Sequence, residues 1–137
     1  MSHPDLARIG ASRYVRLTTF RGDGTPVPTP VWVTLDGDRL YVYTQATSGK
    51  VARLRANARV AIAPSDWRGR SSAPDVPGQA RLLDPEQSIA ARRRLIAKYK
   101  GEYRLFQVVG DLSNKLRRKP KPPEVGIEIE LLPTDPA

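Results

Sequence analysis

Ser48-Gly49-Lys50 stands where a polar link, Gln45-Ala-Thr47, gives way to an amphipathic stretch from Val51 to Ala58. These residue types in this order can hold an anion. Serine caps a helix well, its hydroxyl accepting from a free backbone N–H of the first turn. Gly49, at the first helical position, lets an anion come close to the backbone. The unpaired N–H groups and the positive end of the helix dipole favour a phosphate at that point. Lys50 adds a full charge, and Arg53 falls one turn later on the same face. Taken alone, the same residues also read as an ordinary capped helix with solvated basic side chains.

Composition removes several other chemistries. Cysteine is absent from the 137 residues, which excludes disulfides, thiolate nucleophiles and cysteine-ligated zinc or iron–sulfur sites. The one histidine, His3, belongs to a terminus expected to be mobile, so haem ligation through histidine and Ser-His-Asp catalysis are not expected. The formal net charge is +9, a balance that suits an anionic partner: nucleic acid, a membrane surface or an acidic small molecule. No run approaches the ~20 apolar residues of a spanning helix, and the first residues, Met1-Ser-His-Pro-Asp5, lack a signal pattern. The expectation is one cytoplasmic domain over residues 1–137.

The elements around the basic helix start are strands. Tyr14 to Phe20 reads as a first strand and Arg21 to Thr25 as a tight turn. A hairpin follows, with Pro26–Leu35 as one arm, Asp36-Gly37-Asp38 as its turn and Arg39–Thr44 as the other arm. Within it Val31, Val33 and Leu35 share one face and Trp32 and Thr34 the other, while Tyr41 and Tyr43 oppose Leu40 and Val42. Arg59–Ala63 is a strand that stops at Pro64, and Gln79–Leu83 is another beyond a Ser-, Pro- and Gly-rich loop. Asp84 and Pro85 start a helix running to about Tyr99, with Ile89, Ile96 and Tyr99 near one stripe. A second helical segment begins near Glu102. Glu124–Leu131 alternates strictly, with Val125, Ile127, Ile129 and Leu131 opposed to Gly126, Glu128 and Glu130 on a wet face. Strands, helices and a returning strand predict a mainly β antiparallel barrel with appended helices.

The ordered blocks Thr29-Pro-Val-Trp32, Tyr43-Thr44, Ser48-Gly-Lys50 and Asn57-Ala-Arg-Val60 resemble the pyridoxamine 5'-phosphate oxidase-like superfamily, the FMN-binding split β-barrels. Within it they look most like the small branch that uses the deazaflavin coenzyme F420. The resemblance spans roughly residues 10 to 132. It implies an F420-dependent oxidoreductase that passes hydride from the reduced deazaflavin to an electron-poor small molecule. The cofactor carries that chemistry, so no catalytic side chain and no metal site is expected. By resemblance Thr29, Pro30, Val31 and Trp32 border the ring, Tyr43 and Thr44 lie near the ribityl chain, and Ser48, Gly49, Lys50 and Arg53 bind phosphate. A core tryptophan is the alternative reading of Trp32. FMN oxidases of the superfamily tend to place Arg before Lys and to carry basic residues along the ring strand. Gly49 and Thr29-Pro30-Val31-Trp32 depart from that pattern. Arg55, Arg59, Arg68 and Arg70 are candidates for the acidic tail of F420, each otherwise a solvated cation. FMN as cofactor, and a non-catalytic flavin or deazaflavin carrier, are the alternatives.

Two further expectations concern partners. The aromatic faces of Trp32, Tyr41 and Tyr43 suggest a homodimer with cofactor sites at the subunit boundary. The basic run Lys115, Arg117, Arg118, Lys119 and Lys121 has no interleaved aromatic for base stacking. A solvated linker is expected there, and no nucleic-acid partner; a basic nucleic-acid-binding module is the remaining alternative.

Overall fold

The computed structural model describes residues 3–45, 48–71, 73–99 and 124–133. The expected helical segment from Glu102 and the basic run from Lys115 to Lys121 lie outside the described residues. The elements are α1 (Leu6–Gly10), β1 (Tyr14–Phe20), β2 (Pro26–Val31), β3 (Thr34–Asp36), β4 (Arg39–Gln45), α2 (Gly49–Ala56), β5 (Arg59–Ser65), β6 (Val76–Leu82), α3 (residues 85–99) and β7 (Glu124–Leu131).

All seven strands join one antiparallel sheet in the order β2-β1-β5-β6-β7-β4-β3. The two edges, β2 and β3, are consecutive in the chain and separated only by Trp32 and Val33. A flat sheet would hold edges six spacings apart, about 29 Å. Three Cα steps reach at most about 11 Å. The sheet must therefore curl until its edges meet, and the expected barrel follows from connectivity. The same closure splits the expected Pro26–Leu35 arm. Only Thr34–Asp36 pairs with β4, through Thr34–Tyr41 and Asp36–Arg39, whereas β2 pairs with β1 from Val31–Val15 to Pro26–Phe20. The strict alternation expected across Val31 to Leu35 fails at the bend, where Val33 and Thr34 are both buried.

Proline decides how β2 is used. Pro26, Pro28 and Pro30 have no N–H, so Val27, Thr29 and Val31 must donate the ladder bonds to β1. The outer edge of β2 then offers carbonyls and no donors at the proline positions, which prevents ordinary strand addition. Pro64, expected to end its strand, lies inside β5 opposite Val15. It is tolerated because the pairing of β5 with β6 stops at Ile62, leaving that side of Pro64 without a ladder. β6 starts at Val76, three residues before the expected Gln79.

The barrel interior holds Val15, Leu17, Leu40, Val42, Val60, Ile62, Ile127 and Ile129, all fully buried, with Leu6 and Leu54 closing it from α1 and α2. His3, the first described residue, is also tied down. The His3 side chain is buried, and its Nδ1 accepts from the Asp5 N–H at 3.1 Å, so the expected mobile terminus is corrected. Among the described residues no helix is long and apolar enough to cross a membrane.

Helix α3 starts as Asp84-Pro85 predicts. The Gln87 N–H donates to Asp84 Oδ1 at 2.7 Å, and Gln87 Oε1 accepts in return from the Asp84 N–H at 3.3 Å. Its buried stripe is Ser88, Ala91, Leu95 and Tyr99, not the expected Ile89 and Ile96; Ile89 is 51% exposed. The stripe is set by what it packs on. Gly126 of β7 lets α3 approach so closely that a Cβ there would lie 2.9 Å from Leu83 Cδ1 and 3.2 Å from Ser88 Cα. Gly126 is thus buried, and the expected wet face of β7 is covered at that end.

The far end of α3 grips the bend. Lys98 Nζ donates to the carbonyls of Gly10, Ser12 and Val33 at 2.9, 2.7 and 2.6 Å. The Tyr99 hydroxyl accepts from the Val33 N–H at 3.0 Å and donates to the Arg13 carbonyl at 2.7 Å. Its ring stacks on Trp32 at 4.5 Å between centroids. Tyr99→Phe keeps the stack but leaves the buried Val33 N–H unsatisfied, at a cost of about 1–3 kcal/mol. Urea denaturation is expected to show a lower midpoint with an unchanged slope.

Candidate functional site

Between β4 and α2 the Ser48 N–H donates to the Gln45 carbonyl at 3.0 Å. Ser48 is extended, and its Oγ accepts from the Val51 N–H at 3.5 Å, a long capping bond. Val51 and Leu54 anchor the helix on the barrel. That orientation leaves Lys50 and Arg53 half-buried and Gly49 exposed at the helix start.

The Arg53 side chain folds back along its own helix. Its Nε donates to Thr19 Oγ1 of β1 at 2.6 Å. Its Nη1 lies 2.8 Å from where a Cβ on Gly49 would stand. Burial, and then the neighbouring Arg53 charge, hold the Lys50 ammonium below the ordinary lysine range. Among the described residues no carboxylate forms a salt bridge with Lys50 or Arg53. The sequence carries the reason: from Leu40 to Ser65 there is no Asp or Glu. Two cations and the positive end of a helix dipole thus converge without a counter-charge. An anion with several oxygens would relieve the repulsion and accept from the free first-turn N–H groups.

The remaining candidates fall into two groups. Thr29 and Val31 pair with Leu17 and Val15, on the same side of the sheet as Thr19, which pairs with Val27. Thr29 Oγ1 lies 3.4 Å from the Leu17 carbonyl. Pro30 faces the other way, beside the backbone of Gly69 in the β5–β6 loop. Trp32 packs on Tyr99 near the end of α3. Tyr43 lines a cleft of about 360 Å³ at the start of α3, with Leu83, Pro85, Ser88, Ile89, Glu124 and Val125. Thr44, next in the strand, takes the opposite side of the pleat. Trp32 therefore lies at the last turn of α3 and Tyr43 beside its first turn, each two residues from the paired Thr34 and Tyr41.

The aromatic faces offered above as a subunit boundary are largely covered. Trp32, Tyr41 and Tyr43 are half-buried. The Tyr41 hydroxyl donates to Glu128 Oε2 at 3.1 Å, and Arg94 of α3 lies over its ring at 5.1 Å. Of the four tail-binding candidates, Arg59 sits over Phe20, Arg68 over Trp67, and Arg70 reaches Asp66 at 3.6 Å. Arg55 is exposed in the last turn of α2. Sequence reasoning missed Thr19. The signal was available, since Thr19 continues the fully apolar row of Val15 and Leu17 and so had to be a buried hydroxyl. Among the described residues no cluster could hold a metal ion.

A family model described as pyridoxamine 5'-phosphate oxidase matches residues 6–131. No curated protein matches the chain. Solved structures similar to it include a FAD-binding protein from Mesorhizobium loti, 17% identical, covering 97% of this chain and 91% of that one with a TM-score of 0.64. An F420 reductase is 21% identical, covering 97% and 95% with a TM-score of 0.57. A heme storage protein from Vibrio cholerae is 13% identical, covering 98% and 93% with a TM-score of 0.61. At these identities the likeness shows the fold alone.

The lowered Lys50 titration gives the helix start a pH signature. A bound anion favours the ammonium form, so Lys50 titrates higher in the complex than in the free protein. Between those two values binding requires proton uptake, and affinity falls as pH rises. Below the free-protein value Lys50 contributes no pH dependence. Calorimetry with an anion whose own charge is constant, such as sulfate, is expected to show affinity falling as pH enters this window. The window begins below the ordinary lysine value of 10.5. In Lys50→Arg this alkaline fall should vanish.

Proposed function

We propose that this chain, which belongs to the pyridoxamine 5'-phosphate oxidase family, is an oxidoreductase that binds coenzyme F420 by its phosphate. The observation that carries the reading is the pair of cations, Lys50 and Arg53, held half-buried at a serine-capped helix start with no acidic partner among the described residues. These residues fit a phosphoryl group. Lys50 supplies a point charge, Arg53 a planar fork, and α2 its free N–H groups. When bound, the deazaflavin supplies the hydride that reaches an electron-poor small molecule.

The choice among cofactors rests on the ring strand. Thr29, Pro30, Val31 and Trp32 bring no charge to the ring, and the prolines of β2 leave backbone carbonyls as its outer-edge polar groups. Such a strand lacks the basic residues that FMN oxidases tend to carry beside the ring. Exposed Arg55, on the helix that starts with the phosphate site, offers an acidic tail a cation beyond the pocket. The similar solved structures include proteins described as FAD-binding and as an F420 reductase, so FMN or FAD is the alternative this reading must beat.

The functional unit in this reading is a homodimer. Trp32, at the end of α3, and Tyr43, at its start, would reach the cofactor from a subunit boundary. Two copies related by a two-fold axis can bring the Trp32 end of one to the Tyr43 end of the other.

Fluorescence titration tests the cofactor. F420 is expected to bind more tightly than FMN or FAD, and Lys50→Ala to weaken it by about 1.5–3 kcal/mol, the scale of a charge-assisted hydrogen bond. Equal or tighter FMN binding would return the chain to the oxidase type. Light scattering with F420 bound should give a dimer mass; a persistent monomer would remove the shared site.

A further inference from the structure

We infer that Thr19 and Gly49 together form a cradle that fixes the Arg53 guanidinium over the helix start, which makes Thr19 a positioning residue of the anion site. The inference rests on the anion-site reading above for its functional meaning, though not for its geometry.

An arginine at the surface of a short helix ordinarily samples many rotamers, and rotamer entropy opposes any single one. Arg53 is held against that tendency from two sides. On one side is Thr19, fully buried on β1 in the row of Val15 and Leu17, where the barrel wants an apolar residue. A valine would fill the same volume. The hydroxyl instead places an acceptor 2.6 Å from Arg53 Nε. On the other side is the empty space above Gly49. The guanidinium uses it, with Nη1 and Nη2 at 2.8 and 3.6 Å from the position of the missing Cβ.

Donor arithmetic shows what the cradle achieves. Of the five N–H groups of a guanidinium, the one on Nε is taken by Thr19. The four on Nη1 and Nη2 stay with the first turn of α2, whose earliest N–H groups have no intrahelical partner. A fork held flat over a helix start matches the spread of two phosphate oxygens. The cradle also keeps Arg53 beside Lys50, and that charge adds to burial, the larger cause, in lowering the Lys50 titration. Left free, two like charges would separate.

The test uses the whole chain, with inorganic phosphate as the probe and two readouts. Calorimetry gives phosphate affinity. Heteronuclear NMR of the lysine Nζ, assigned with Lys50→Gln, gives the Lys50 titration. Thr19→Val is expected to lower phosphate affinity about tenfold, one hydrogen bond to a charged group, and to raise the Lys50 titration point as Arg53 swings away. Thr19→Ser should restore both. Gly49→Ala should reproduce both changes from the other side, since its Cβ collides with Nη1. Alanine favours the helix more than glycine does, so this variant also decides the matter if Thr19→Val fails to fold. An unmoved Lys50 titration in folded Thr19→Val or in Gly49→Ala would overturn the cradle. If the native chain binds no phosphate, the anion-site reading fails, and the Lys50 titration still decides the cradle.

Discussion

A seven-stranded sheet whose two edges are joined by two residues has one way to exist. Connectivity forces the closure, and closure buries Val33 and half-buries Trp32. The protein spends its most directional interactions there. Three carbonyls around the bend converge on the Lys98 ammonium, and the Val33 N–H meets a tyrosine hydroxyl placed one residue later on the same helix. Burial disfavours the Lys98 charge and the Tyr99 phenolate alike, so the grip is held by a cation with three acceptors and a neutral phenol. Helix α3 is therefore part of the barrel's closure.

The closure also sorts the surface by charge. On the α3 side, cations are matched: Arg81 with Glu128, Arg39 with Asp38 and Glu130, Arg94 with Asp36. Such partly exposed pairs contribute little to stability, but they neutralise the face that carries them. Around α2 the arrangement is the reverse, since an acid-free stretch from Leu40 to Ser65 places Lys50, Arg53, Arg55 and Arg59 in succession. A chain with net charge +9 can be basic everywhere without recognising anything. Here Lys50 and Arg53 stand together at a helix start with no carboxylate salt bridge among the described residues, and that localisation bears on function where the total does not.

The order of elements was legible because their signals are local. Alternation gave β7 its bounds, Tyr14–Phe20 read directly as β1, and the Asp84-Pro85 pair marked the start of α3. Ser48-Gly49-Lys50 marked α2 in the same way. What failed depended on distant partners. Pro26 to Leu35 looks like one arm until the opposite sheet edge has to meet it. The apolar stripe of α3 cannot be chosen between Ile89 and Ala91 until Gly126 is known to lie beneath it. For the candidate site, the helix-start residues were readable because they are contiguous. Thr19 was readable only as a buried hydroxyl, because its role comes from an Arg53 contact 34 positions away.

The same reasoning bears on why glycine, rather than a second basic residue, stands before Lys50. A long cation at position 49 would project from an exposed helix start and lose much of its rotamer freedom on binding. Arg53 reaches that region from one turn further on, and a buried hydroxyl already orders it. The cost of ordering then falls at folding, where the barrel core offsets it, and not at association. A guanidinium fixed in advance also keeps its planar fork at one angle, which favours an anion of matching geometry over one of merely matching charge. In this arrangement selectivity at the helix start would come from the strand beneath it, through a single threonine on a row that is otherwise hydrocarbon.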